Sequence, residues 1–192
     1  MLFRSRFDLS GGAVAALTVA VQLGFVVGTA LSALLNLADV VPARLLFATA
    51  ATLGALASAP MAFTDSFTVI VVSRFCSGVC LAGVYPPAMK MASTWFRERR
   101  GLAVGTVVGA LTIGKAGPYL VHAIPSVTVV GVTVVSCVSA LAAAALVFAL
   151  YRDGPHAFPP RPFSWSLAAD VVRSRRWRLA TGGYLGHMAE LY

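Results

Sequence analysis

The sequence predicts an all-α integral membrane protein, a bundle of apolar helices crossing a bilayer. Three observations predict it. Of the 192 residues, 58% are hydrophobic and only 11% charged, against about 25% charged in soluble domains, and the mean hydropathy is +0.82. Apolar windows of about 20 residues, the length that crosses hydrocarbon, recur at 13–37, 43–63, 67–93, 101–124 and 127–151. The cations behind the net charge of +8 collect between those windows and form no aromatic-interleaved basic patch. That distribution excludes nucleic acid as a partner and suits anionic headgroups. The lipid bilayer is the expected partner.

The first window far exceeds the roughly 7–15 residues of a signal-peptide core and no soluble domain follows it, so it reads as a span. Gln22, Thr29, Ser32 and Asn36 recur along it at helical spacing beside Gly24 and Gly28. Small and weakly polar residues let helices approach in lipid, and Gln22 is the one placed on a solute pathway. The turn Ala38–Pro42 leads into the second span. Asp39 is expected to cap that helix and Arg44 to pair with Asp39 or with a helix C-terminus; the other reading makes Asp39 and Arg44 a cytoplasmic gate loop.

The third span, after the linker Thr64–Ser66, carries Arg74 in the spacing Arg-x-x-x-Gly-x-x-x-Ala through Gly78 and Ala82. An arginine in hydrocarbon costs from about 3 to above 10 kcal/mol, so it points to a water-filled cavity or a partner helix. A kink is expected at Pro86-Pro87, with Tyr85 projecting from it into a cavity. The chain exits through Trp95-Phe96-Arg97-Glu98-Arg99-Arg100 and re-enters as a span stepped by Gly101, Gly105 and Gly109, a face for close helix packing. Lys115 lies in that fourth span. After Pro125–Ser126 comes the fifth. Arg152–Trp177 is rich in Pro and Arg; Gly154–Pro162 cannot be helical, whereas Ser164–Arg178 suits a short amphipathic helix at the membrane surface. Leu179–Tyr192 begins a sixth span.

Of 15 Lys and Arg, eleven fall in one set of loops and only Arg4 and Arg6 on the other side, with Arg74 and Lys115 inside spans. The eleven-charge side is therefore cytoplasmic. Met1–Gly11 then lies outside, against the pull of Arg4 and Arg6, and an upstream span would resolve the conflict. With a last span of only 14 residues, the chain is expected to be a fragment. The domain reading is 1–151, an N-terminal transmembrane half lacking its first helix; 152–177, a cytoplasmic central loop; and 178–192, a truncated start of a C-terminal half.

No enzyme signature is present: no Gly-x-Ser-x-Gly, no phosphate-cradling loop, no His-Glu-x-x-His, and no Asp or Glu central to a complete span. His122, His156 and His187 are too scattered for a metal site, and Cys76, Cys80 and Cys137 lack metal or redox spacing. No cofactor is expected. Arg74 enters about 10 Å from the outer end of its span at about 1.5 Å per residue, and Lys115 lies at comparable depth. Two cations without a buried carboxylate suggest an electropositive cavity that attracts an anionic solute or controls a proton site. Glu190, with His187 a turn earlier, is the deep acid that could balance them or carry a proton.

These residues resemble the major facilitator superfamily of secondary transporters. Its pattern between helices two and three, Gly-x-x-x-Asp-Arg-x-Gly-Arg-Arg, is met by Asp39 and Arg44; Leu35, Val40, Pro42 and Ala43 depart from it. Its helix-four pattern is met by Arg74, Gly78 and Ala82, the arginine that the family ties to proton coupling or substrate charge. Tyr-Pro-Pro-x-Met-Lys at 85–90 and Trp-Phe-Arg-Glu-Arg-Arg-Gly at 95–101 look closest to bacterial nitrate/nitrite and cyanate porters, although a Gly-Asn-Gly-Gly-rich nitrate signature is lacking. The resemblance covers nearly the whole chain and implies a fold, an incomplete bundle of five full helices plus the start of a sixth. It also implies a function: transport of a small solute by alternating access, proton-coupled, in a bacterial inner membrane. The fragment would need the missing helices of the full-length transporter and is not expected to transport alone. The reading from another class is a non-catalytic membrane scaffold packing through its Gly-rich helix.

Overall fold

A computed structural model describes residues 11–122, 128–156 and 165–191. Among them every regular element is helical, as the composition predicts. The chain forms two compact units, Met1–Arg161 and Pro162–Tyr192.

In the first unit, α1 (Gly11–Leu34) is apolar throughout. It stops three residues short of the predicted end, because Asn36 adopts a left-handed conformation at φ 50°, which asparagine tolerates better than most residues. A single turn, α2 (Leu37–Val40), follows. Pro42 then takes the position before α3 (Ala43–Ser58), and its carbonyl accepts from the Leu45 and Leu46 amides at 2.9 and 3.0 Å. The expected cap by Asp39 is not made, since no side chain caps α3. A 3-10 turn, Ala59–Ala62, completes that span.

The third span is two helices, α4 (Phe67–Leu81) and α5 (Tyr85–Trp95). The break falls at 82–84, ahead of the proline pair. Pro86 and Pro87 thereby occupy the first turn of α5, where their missing amides cost nothing. Next come α6 (Arg100–His122) and α7 (Val129–Leu150). Thr128 caps α7 by accepting from the Gly131 amide at 3.1 Å.

Helix α1 packs along α4, and α3 packs against α4, α5 and α7. The first contact is a glycine seam. A Cβ built on Gly24 would stand 2.1 Å from the Phe75 carbonyl oxygen, and one on Gly78 2.2 Å from that of Val21. Only glycine allows backbones so close. Ile70, fully buried, closes a cluster with Leu17 and Met61, while Ala48, Ala51 and Ala144 join α3 to α7. Large apolar side chains face outward, among them Val26, Leu53, Val135 and Leu146. Apolar surface on this scale requires lipid.

Among the described residues, four helical stretches are long and apolar enough to cross a membrane: Gly11–Leu34, Ala43–Ala62, Phe67–Trp95 and Val129–Leu150. The predicted span at 101–124 is the helix α6, apolar over Arg100–Gly114. The Pro125–Ser126 turn lies outside the described residues.

The second unit holds α8 (Trp165–Arg173) and α9 (Arg175–Leu191). The amphipathic helix predicted over 164–178 ends earlier. Ser174 separates the two helices, and its carbonyl accepts from the Arg178 amide at 3.1 Å. Arg175, Arg176 and Arg178 consequently begin α9.

Candidate functional site

Arg74 lines a cavity of about 310 Å³ bounded chiefly by α3, α4 and α7. Its position follows from helical period: Arg74, Ser77 and Leu81 are spaced to share one face of α4. The facing positions are small, with Ala50, Ala51, Gly54 and Ala55 on α3 and Ala140 and Ala143 on α7. Small residues on two helices opposite one long side chain leave the space. Phe47, Leu81 and Val84 add larger apolar surface.

The polar lining is Arg74, Ser58, Ser77, Ser136, Cys80 and Cys137, and no acidic side chain is among the lining residues described. Ser58 Oγ and Ser77 Oγ lie 2.8 Å apart. Each also reaches a carbonyl one turn back, Ser58 to Gly54 at 2.9 Å and Ser77 to Ser73 at 2.7 Å. Cys137 Sγ donates to the Ala55 carbonyl at 3.3 Å, tying α7 to α3.

The other residues singled out in the sequence are placed differently. Gln22 is exposed, and its neighbour Val21 lines the cavity instead. Tyr85 is half-buried outside the lining, where Val84 takes part. Gly78 and Ala82 do sit in helix contacts: the Ala82 Cβ would meet a Cβ on Gly28 at 2.9 Å. Gly101, Gly105 and Gly109 have nothing within 4 Å of a built Cβ, so no helix among the described residues uses that stripe. The side chains of Lys115, His187 and Glu190 lie outside the described residues.

Asp39 and Arg44 do not pair. Lys90 takes Asp39, Nζ to Oδ1 at 3.0 Å, and also donates to the Ala38 carbonyl. The Arg44 guanidinium instead stands over the Phe148 ring, 5.9 Å from its centroid, within cation–π range. Lys90 therefore fills the role expected of Arg44. Its signal was the loop charge count, which put Lys90 on the same side as Asp39 without pairing them.

A second assembly at the ends of α5 and α7 went unread in the sequence. Thr94, buried, accepts the Gly154 amide at 3.1 Å and lies 3.0 Å from the Tyr151 hydroxyl. The Thr94 carbonyl accepts the His156 amide at 3.0 Å, and Trp95 Nε1 donates to the Arg152 carbonyl at 3.1 Å. Residues 151–156 thus cover the end of α5 and supply partners for its last carbonyls.

A family model described as Major Facilitator Superfamily matches residues 2–191. No curated protein matches the chain.

Proposed function

The chain belongs to the major facilitator superfamily and is a multi-pass membrane transporter protein; from that premise we propose that it handles a small anionic solute by alternating access, with Arg74 as the residue that attracts the charge. The observation that carries this reading is the setting of Arg74 in a mostly apolar cavity between α3, α4 and α7. A planar guanidinium fork is suited to the oxygens of an anion.

Alternating access requires two helix bundles rocking about one site. The reading assigns these helices to one bundle, with the second supplied by further polypeptide, so the 192-residue chain alone does not transport. Proton coupling belongs to the same proposal, with Glu190 as carrier and Lys115 as a second cation along the pathway. The resemblance of 85–90 and 95–101 to nitrate/nitrite and cyanate porters of bacterial inner membranes supports an anion as cargo.

The test is uptake into proteoliposomes by a complete family member with this cavity. Changing the counterpart of Arg74 to Gln should abolish anion uptake while expression and monodispersity stay normal. Unchanged uptake would contradict the role given to Arg74. Uptake by the 192-residue chain above empty liposomes would contradict its dependence on a second bundle.

A further inference from the structure

We propose that the furrow between α3 and α7 binds an anionic phospholipid of the leaflet that the charge count makes cytoplasmic, its headgroup on Arg44 and one acyl chain along the furrow. The site is on the outer side of the bundle and does not depend on what the transporter carries.

The furrow follows from the packing of α3 on α7. Its floor holds Ala48 and Ala144, both buried, and its rim holds Leu45, Leu53, Leu141 and Phe148, all exposed. Small residues facing one another across two helices sink the floor, and the larger side chains raise the rim. Thr49 and Thr52 are the polar members of the lining. The Thr49 hydroxyl donates to the Leu45 carbonyl of its own helix at 2.8 Å, and Thr52 brings one further hydroxyl. The rest of the surface is apolar.

Its dimensions suit a single chain. From Leu45 to Leu53 the helix rises about 12 Å at about 1.5 Å per residue, most of one leaflet of a hydrocarbon layer about 30 Å thick. A volume of about 460 Å³ is room for roughly fifteen groups the size of a water, at about 30 Å³ each. A third helix, about 10–12 Å across, would ride on the leucine rim, since helices approach closely through small residues. An acyl chain is thin enough to reach the alanine floor.

The charge stands at one end. Arg44 is the second residue of α3 and Phe148 lies near the end of α7. These helix ends meet, with the guanidinium 5.9 Å from the Phe148 ring centroid. Phe148 therefore both lines the furrow and holds the cation at its mouth. Asp39 is taken by Lys90, and among the described residues no carboxylate lies within ion-pair distance of Arg44. The ring contact leaves guanidinium N–H donors for the oxygens of a phosphate. At the other end, Leu53 and Leu141 offer only apolar surface. One charged mouth on one apolar furrow matches a lipid with an anionic head.

The test uses the 192-residue chain in phosphatidylcholine vesicles carrying a small fraction of photoreactive lipid. The diazirine sits on the acyl chain, and the headgroup is either phosphatidylglycerol or phosphatidylcholine. After irradiation, adducts are mapped by mass spectrometry. Phosphatidylglycerol adducts on residues 45–53 and 141–148 should exceed those of phosphatidylcholine about fivefold, the gain expected from about one arginine beside an anionic lipid. Adducts around Val26, exposed on α1, should be equal for the two headgroups. Arg44→Gln should bring the furrow adducts down to the phosphatidylcholine level, and Arg44→Lys should keep part of the excess. Ala145→Leu fills the furrow without touching Arg44 and should lower adducts of both lipids there. Unchanged labelling around Val26 reports an intact, inserted fold in every variant.

Equal furrow adducts for the two headgroups in the wild-type chain would mean ordinary boundary lipid and overturn the site. An excess that survives Arg44→Gln would overturn the role of Arg44. Loss of the excess on adding sodium phosphate at constant ionic strength would mean a site for a free anion instead of a lipid. A furrow without adducts, together with chain-to-chain crosslinks through 45–53, would mean that a second copy covers it.

Discussion

Lys90 Nζ lies 3.0 Å from Asp39 Oδ1, joining the turn after α1 to the middle of α5 across 51 positions of sequence. The same ammonium binds the Ala38 carbonyl, so the contact holds backbone as well as charge. Both side chains are partly exposed, at 25% and 37%, and exposed pairs contribute about 0–1 kcal/mol. Asp39→Asn and Lys90→Met should therefore each lower stability by less than about 1.5 kcal/mol, the lysine change more because it also frees a carbonyl. Thermal unfolding in detergent at low and high salt checks this. The double-mutant coupling should shrink as salt rises; a coupling above about 3 kcal/mol would show a pair far more desolvated than its exposure implies.

The glycines separate into two kinds, and substitution should reveal them. At Gly78 a Cβ meets the Val21 carbonyl oxygen at 2.2 Å and the Phe25 nitrogen at 3.0 Å, both backbone atoms. Gly78→Ala must push α1 off α4 and should cost at least about 1–3 kcal/mol. At Gly105 a Cβ meets nothing within 4 Å, and alanine favours helix by about 1 kcal/mol in isolated helices. Gly105→Ala should leave stability level or raised. Equal loss at both positions, measured by thermal unfolding of each variant, would mean a helix covers the α6 stripe.

Ser58 and Ser77 share too few protons for their three contacts, which predicts cheap and sub-additive substitutions. Ser58→Ala leaves Ser77 its bond to the Ser73 carbonyl, and Ser77→Ala leaves Ser58 its bond to Gly54. Each should cost about 0.5–1.5 kcal/mol, and the double variant less than the sum. Full additivity in unfolding measurements would show that the 2.8 Å contact carries no coupling.

The spans were legible because hydrophobic length is a one-dimensional signal. Arg74 was legible as well, since a charge in such a run stands out whatever it faces. The partners were not. That Lys90, rather than Arg44, reaches Asp39 depends on which helix end lies above which turn. The cavity is made by residues that say little singly, such as Ala50, Gly54 and Ala140, whose smallness matters only because α3 and α7 face each other there. The proline pair shows the limit of local rules: prolines forbid a continuous helix, but the break came upstream, where α5 could use them in its first turn. Asn36 ended α1 early through a conformation that hydropathy does not register.

The contact between Thr94 and Gly154 gives the sharpest structural prediction. The Gly154 amide reaches Thr94 Oγ1 at 3.1 Å, and a Cβ on Gly154 would lie 2.4 Å from the Thr94 carbonyl oxygen and 2.8 Å from the Trp95 Cα. Those atoms are backbone at a helix end and cannot step aside as a flexible side chain would. Gly154→Ala must lift residues 151–156 from α5, breaking the His156-to-Thr94 and Trp95-to-Arg152 bonds together. Thr94→Val keeps the shape but leaves the buried Gly154 amide without its acceptor, at about 1–3 kcal/mol; Thr94→Ser keeps the acceptor and should lose least. The order of stability should run wild type, Thr94→Ser, Thr94→Val, Gly154→Ala. In a background where Trp165 and Trp177 are Phe, Trp95 emission should shift to the red in Gly154→Ala, because its indole loses the Arg152 carbonyl and gains water. A Gly154→Ala protein with wild-type stability and unshifted emission would mean that residues 151–156 do not rest on α5 in the membrane.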